Sequence, residues 1–157
     1  MEFKIPNSLK KEHEELHNLL KQATELSGKT GQAAKAVAQL MHPHFIKEEE
    51  YALPPLGLLL PLSSGKLSEE MKQVLTMTDK LKTELPEMPE EHKRIVAALK
   101  VLVEQATTEH HPDVAKFAEK LMLHAQTEEE VSYPTALLLG EFIKLKLNMN
   151  AAANYSS

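Results

Sequence analysis

Apolar residues recur at steps of three and four along most of the chain, and the strict alternation of a half-buried strand is absent. Leu9, His13, Leu16 and Leu20 share one helical face, and Val37, Leu40, His44, Glu48 and Tyr51 share another. His92, Ile95, Leu99 and Leu102 make a third stripe; Phe117, Leu121, His124, Glu128 and Val131 make a fourth. The first helix is expected from about Ser8, after Pro6-Asn7, to the stop at Ser27-Gly28. The second starts near Thr30 and reaches the Pro54-Pro55 break, with Pro43 inside it to kink it or remove a hydrogen bond. After the apolar, proline-punctuated LPPLGLLLPLSSG, Ser68 can cap a short amphipathic helix that ends near Pro86. Pro89 opens the third long helix, to about Thr108, and Pro112-Asp113 opens the fourth, which Pro134 is expected to end. A last helix covers roughly 135–149, before a tail, AAANYSS, expected to fray. The predicted fold is all-α: an up-down-up-down four-helix bundle, with an extra short helix before the third long helix and a C-terminal helix. One domain, residues 1–157, is expected, its bundle core at about 8–134.

Composition narrows the chemistry. With 4% aromatic residues and no Trp, the core must come from Leu, Ala, Val and Met, which suits packed helices. There is no cysteine, so disulfides, thiolate catalysis and sulfur-ligated metals are excluded, and any metal must be held by nitrogen and oxygen. A net charge of −5 without a basic stripe argues against a nucleic-acid partner. No apolar run approaches the roughly 18–20 residues of a membrane span. The opening MEFKIPNS lacks the apolar core of a signal peptide, so a cytoplasmic location is expected.

A repeat carries the polar chemistry. His44–Pro54, HFIKEEEYALP, and His124–Pro134, HAQTEEEVSYP, both read HxxxEEExxxP, eighty residues apart. Upstream, Glu12-His13 answers Glu91-His92, seventy-nine residues apart. Each half thus delivers one helix with a His and one with His-x-x-x-Glu, which implies an approximate two-fold. The stripes place four His and two Glu among apolar positions. Buried unpaired carboxylates cost several kcal/mol or neutralise, so the arrangement calls for a compensating cation. Residues i and i+4 lie one turn apart on one face, close enough to hold one centre between them. The set suits two first-row transition ions, two His to each and both Glu bridging: iron, then manganese or zinc, ahead of calcium or magnesium. A lone His on such a stripe is usually a hydrogen-bonded core residue; two equivalent sets are hard to produce by accident.

At these residues the chain resembles the hemerythrin-like (HHE cation-binding) family, whose H…HxxxE…H…HxxxE order spans about residues 8–134 here. The resemblance implies a hemerythrin-like four-helix bundle and a non-haem di-iron centre, oxo- or hydroxo-bridged. It implies His13, His44, His92 and His124 as terminal ligands and Glu48 and Glu128 as bridging ones. Oxygen-carrying hemerythrins have a further His one turn after the third-helix ligand; here that residue is Val96. Their second bridging carboxylate comes five residues after its His, whereas Glu128 comes at four, with Glu129 as the weaker candidate. The chain is more similar to the four-His, two-Glu branch, associated with peroxide or nitric-oxide chemistry and with iron or oxygen sensing.

The stretch KKEHEELHNLL also contains HExxH, the spacing of zinc proteases. No third ligand or substrate cleft is signalled, and Glu14, about 100° round the helix from His13, faces solvent. His17 lies only about 40° from His13 and is expected to face inward. Three roles stay open for it: a fifth His ligand, a hydrogen-bond partner to a ligand or bound oxygen species, or a packed residue. Tyr51 reads as a core tyrosine with a satisfied hydroxyl, Tyr133 as a helix-end packing residue, His42, His110 and His111 as surface residues, and Leu56–Leu62 as a lid on the bundle core. The expected function is a di-iron protein that binds or turns over a small ligand (O2, H2O2 or NO), with catalase- or peroxidase-like chemistry. The alternative is a non-catalytic, metal-dependent iron- or oxygen-sensing module. Either would act as a monomer or homodimer.

Overall fold

The four periodic stretches fold as four long helices in a computed structural model that describes the backbone of residues 1–155 and the side chains of residues 1–148. Helix α1 (Asn7–Thr24) starts directly behind Pro6 and α2 (Gly28–Lys47) follows a three-residue connection. The chain then passes a π-turn (Glu48–Ala52), a 3-10 turn (Pro54–Leu58), α3 (Leu59–Ser63), a second 3-10 turn (Glu69–Val74) and α4 (Leu75–Glu84). Helices α5 (Met88–Thr108) and α6 (Pro112–Thr127) complete the bundle, and a second π-turn (Glu128–Ser132) leads into α7 (Tyr133–Tyr155). No strand occurs among the described residues, and no described helix is long and apolar enough to cross a membrane.

Four pairs of helices pack as the sides of a square: α1 with α2, α2 with α5, α5 with α6, and α6 with α1. Directions alternate. Glu109, just past the C-terminus of α5, accepts from the backbone N–H groups of Lys29 (3.2 Å) and Thr30 (2.7 Å) and from the Thr30 hydroxyl, at the N-terminus of α2. A carboxylate there satisfies orphan donors and opposes the helix dipole. Gly28, at φ +78°, leaves room for it, since a Cβ at that position would stand 2.5 Å from Glu109 Oε2.

Several boundaries differ from those the sequence suggests. α2 begins at Gly28 and continues through Pro43, which cannot donate a helix hydrogen bond. Ser68 stands before a 3-10 turn and makes no side-chain cap. Pro134 does not end the fourth helix. At the π-turn the Tyr133 N–H reaches back five residues to the Glu128 carbonyl, which opens the ladder where the proline ring would otherwise meet it. The chain therefore runs on into α7, past the 149 expected as its end and into the tail expected to fray, of which residues 156–157 lie outside those described. The first copy of the repeat makes the same turn, with the Leu53 N–H on the Glu48 carbonyl, but two successive prolines there stop the α-helix.

The apolar residues divide into layers. Leu16, Leu20, Val37, Met41, Ile95, Leu99, Phe117 and Leu121 belong to the cluster that fills the bundle. Tyr51, Leu53, Leu56, Leu81, Met88, Tyr133 and Ala136 form a second cluster, which the connection and α7 build over one end. Leu56 is thus buried as a lid would be, whereas Leu58 is buried in a third cluster with Met71, Val74 and Ile143 of α7, and Leu60 is 80% exposed. Predicted ligands lie in sequence where one layer gives way to the other: His13 between Leu9 and Leu16, His92 between Met88 and Ile95. The polar site is a layer between two apolar ones.

Candidate metal centre

The six striped residues converge. His13, Glu48, His124 and Glu128 form one group whose candidate donor atoms lie within 4.8 Å of one another, and His44, Glu48, His92 and Glu128 form a second. The two groups share both glutamates. Exposure runs from 0% at Glu48 to 8% at His124, so the whole set is withdrawn from water. The His44 and His92 Nε2 atoms approach to 2.7 Å, and those of His13 and His124 to 3.1 Å. Glu48 Oε1 lies 2.7 Å from His44 Nε2, and Glu128 Oε1 lies 3.3 Å from His124 Nε2. Two donors held about 2.1 Å from one ion at right angles stand about 3 Å apart, so these separations suit a shared cation. Glu48 Oε2 and Glu128 Oε2 are buried and have no hydrogen-bond partner, which leaves each carboxylate one oxygen for such an ion.

A family model of the hemerythrin HHE cation binding domain matches residues 4–136. The chain belongs to this family. No curated protein and no solved structure matches the sequence significantly. Cation binding by this HHE domain is therefore assigned by family, and the two buried His/Glu groups are where it could occur.

The buried imidazoles and carboxylates shift one another's proton affinity. Burial pushes the His44 imidazole down, but the Glu48 and Glu91 carboxylates more than offset it and lift the group to about 9. His124 is likewise lowered by burial and lifted to about 9, chiefly by Glu128. His13 also rises despite its burial, through Glu128 and Glu48. Burial pushes Glu48 up, yet the facing His44 and His92 imidazoles hold it well below the ordinary range. Burial and the neighbouring Glu48 charge push Glu128 up. The raised His13, His44 and His124 imidazoles thus supply positive charge beside Glu48, and cations would take its place.

An outer ring of carboxylates holds the imidazoles. His44 Nδ1 donates to Glu91 at 2.6 Å, His92 Nδ1 to Glu129 at 2.8 Å, and His124 Nδ1 to Glu12 at 2.5 Å. Such bonds fix the tautomer, leaving Nε2 free for a metal. Sequence reasoning missed Glu12 and Glu91, although both immediately precede a striped His, and that repeated Glu-His pair was the available signal. Glu129 serves here as a partner of His92.

Two tyrosines and a valine differ from expectation. Tyr133, expected to pack at a helix end, is 1% exposed and donates its hydroxyl to Glu48 Oε1 at 2.7 Å. Tyr51 is buried as expected, but its hydroxyl has no partner. Val131, expected on the core stripe, is 56% exposed. An α-helix turns about 100° per residue and would place residue 131 inward and residue 133 about 140° from Glu128. The π-turn holds one more residue, so Ser132 and Tyr133 turn in. Tyr51, the equivalent of Val131, is buried because Leu81 of α4 packs in its cluster. His17 is exposed rather than inward-facing, with its ring against Phe45 (5.5 Å between centroids), and Phe45 in turn packs on His13 (5.1 Å). His42 and His110 are exposed, and His111 is half-buried ahead of α6.

Proposed function

We propose that this HHE domain is a non-haem di-iron protein that binds or turns over a small oxidant such as dioxygen, hydrogen peroxide or nitric oxide. One observation carries the reading: two pairs of buried His share two buried Glu, each with an unpartnered oxygen. His13 and His124 would hold one ion and His44 and His92 the other, with Glu48 and Glu128 spanning both. Iron fits nitrogen and carboxylate donors, and zinc or manganese are the alternatives. An iron pair supplies two-electron exchange with peroxide, the basis of catalase- or peroxidase-like chemistry.

The chain's own residues shape what can reach the centre. A groove of about 470 Å³ between α5 and α6, lined by His92, Val96, Met122, Ala125 and Glu129, leads to the His92 side. Val96 leaves this approach open at the position where oxygen-carrying hemerythrins place a further His. The Tyr133 hydroxyl oxygen, whose proton goes to Glu48, lies 3.4 Å from His92 Nε2, and burial and the Glu48 and Glu128 charges push its ionisation up, so it stays a donor. The apolar layers on either side exclude bulk water.

The test is iron content and the near-ultraviolet and visible spectrum of the reconstituted protein, followed by peroxide consumption. Two irons per chain, oxo-bridge charge-transfer bands and many peroxide molecules consumed per chain are expected. One ion or none would remove the di-iron reading. Oxidation of the centre without turnover would make the domain a metal-dependent iron or oxygen sensor.

A further inference from the structure

The approximate two-fold maps residues 12–13 onto 91–92 and residues 44–49 onto 124–129. Applied to the outer carboxylates, it pairs Glu12, which holds His124, with Glu91, which holds His44. It pairs Glu129, which holds His92, with Glu49, which should hold His13. That fourth bond is not made. Glu49 Oε1 stops 3.7 Å from His13 Nδ1, and this nitrogen is buried without a partner.

The other differences favour the same side. Glu91 and Glu129, which serve the His44–His92 pair, are 16% and 36% exposed, whereas Glu12 and Glu49 are 41% and 56% exposed. A hydrogen bond to a less solvated carboxylate is the stronger one. Lys47 also bonds the second oxygen of Glu91 and fixes it. The equivalent of Lys47 is Thr127, whose hydroxyl turns back to the Leu123 carbonyl, so Glu12 gains no such support. Tyr133 adds a bond to Glu48 Oε1, the oxygen facing His44, and its equivalent is Leu53.

We propose that the two metal positions are unequal: Glu91 and Glu129 act as positioning residues that make the His44–His92 position tight, and unpartnered His13 makes the His13–His124 position exchangeable. The inference rests on the two-metal reading above. Loss of an outer hydrogen bond to a ligating His costs about 10- to 100-fold in metal affinity, so the two steps should differ by at least about tenfold.

The measurement is a Zn²⁺ titration of the metal-free full chain against a competing chromophoric chelator, with Zn²⁺ per chain counted after desalting. Wild type should take two ions in two resolved steps. Repulsion between ions could also resolve the steps, so the assignment comes from variants. His13→Ala should keep the tight step, and His44→Ala should lose it. Glu91→Gln, close to isosteric, should weaken the tight step by about tenfold or more, and Glu49→Gln should leave both steps unchanged. The metal-free circular dichroism of each variant, matched to wild type, separates positioning from misfolding; the two Gln variants decide the matter if either His variant does not fold. Two ions bound with one affinity, or a tight step that follows His13 or Glu49, would overturn the inference and leave the two-metal reading standing. Fewer than two ions in wild type would overturn both.

Discussion

Replacing Tyr133 with Phe removes one hydroxyl and leaves the ring in its apolar cluster with Leu53, Leu56 and Met88. The lost bond is a buried, charge-assisted one of 2.7 Å to Glu48 Oε1. Hydrogen bonds to charged groups contribute about 1.5–3 kcal/mol. Glu48 Oε1 keeps His44 Nε2 at 2.7 Å, so the acceptor is not orphaned and the cost should fall at the lower end, about 1.5–2 kcal/mol. In a chain of this size about 1 kcal/mol moves the melting temperature by 2–4 °C, so metal-free Tyr133→Phe should melt roughly 3–8 °C below wild type. Scanning calorimetry at pH 7 with a chelator present reads this directly. Tyr51→Phe is the internal control, because the Tyr51 hydroxyl is buried without a partner and its removal should be neutral or stabilising. A Tyr133→Phe protein that melts within about 1 °C of wild type, or a Tyr51→Phe protein that loses as much, would refute the reasoning.

Metal-free protein should lose stability at alkaline pH: the raised folded values of His44 and His124, about 9 each, give a contribution fully present below the ordinary 6.5 and lost as pH rises through 9. That contribution is on the order of a few kcal/mol, and melting curves between pH 6 and 10 that stay flat would contradict it. His17→Ala should leave metal content and visible spectrum unchanged, because His17 is exposed and touches Phe45 rather than the cluster; a lost ion would return His17 to the site. Glu109→Ala should speed hydrogen exchange at the Lys29 and Thr30 amides without changing metal content, since these groups cap the far end of α2. Hydrogen bonds from Thr30 hold the Glu109 carboxyl below its ordinary value, so its stabilisation is present above about 4.5 and fades as pH falls through the lower folded value. Exchange rates at both amides that match wild type would refute the cap.

The sequence alone determined the helices, their stripes and the six residues that converge. Period 3.6 is a local property, and two copies of HxxxEEExxxP with a partner His on each neighbouring helix leave little freedom in how the stripes meet. Tertiary structure decided the rest. Both π-turns lie hidden in a sequence that reads as continuous helix. The second brings in Tyr133 and carries α7 past Pro134, while Val131 is exposed and its equivalent Tyr51, in the first turn, is buried with Leu81 of α4. His17 looked inward on a helical wheel, but a wheel has no neighbours; Phe45 on α2 fills the space and leaves His17 at the surface. Glu12, Glu91 and Glu129 sit beside the striped positions, where a charge normally faces water. Only the packing of four helices brings each of them against an imidazole on another helix, and leaves Glu49 short of His13.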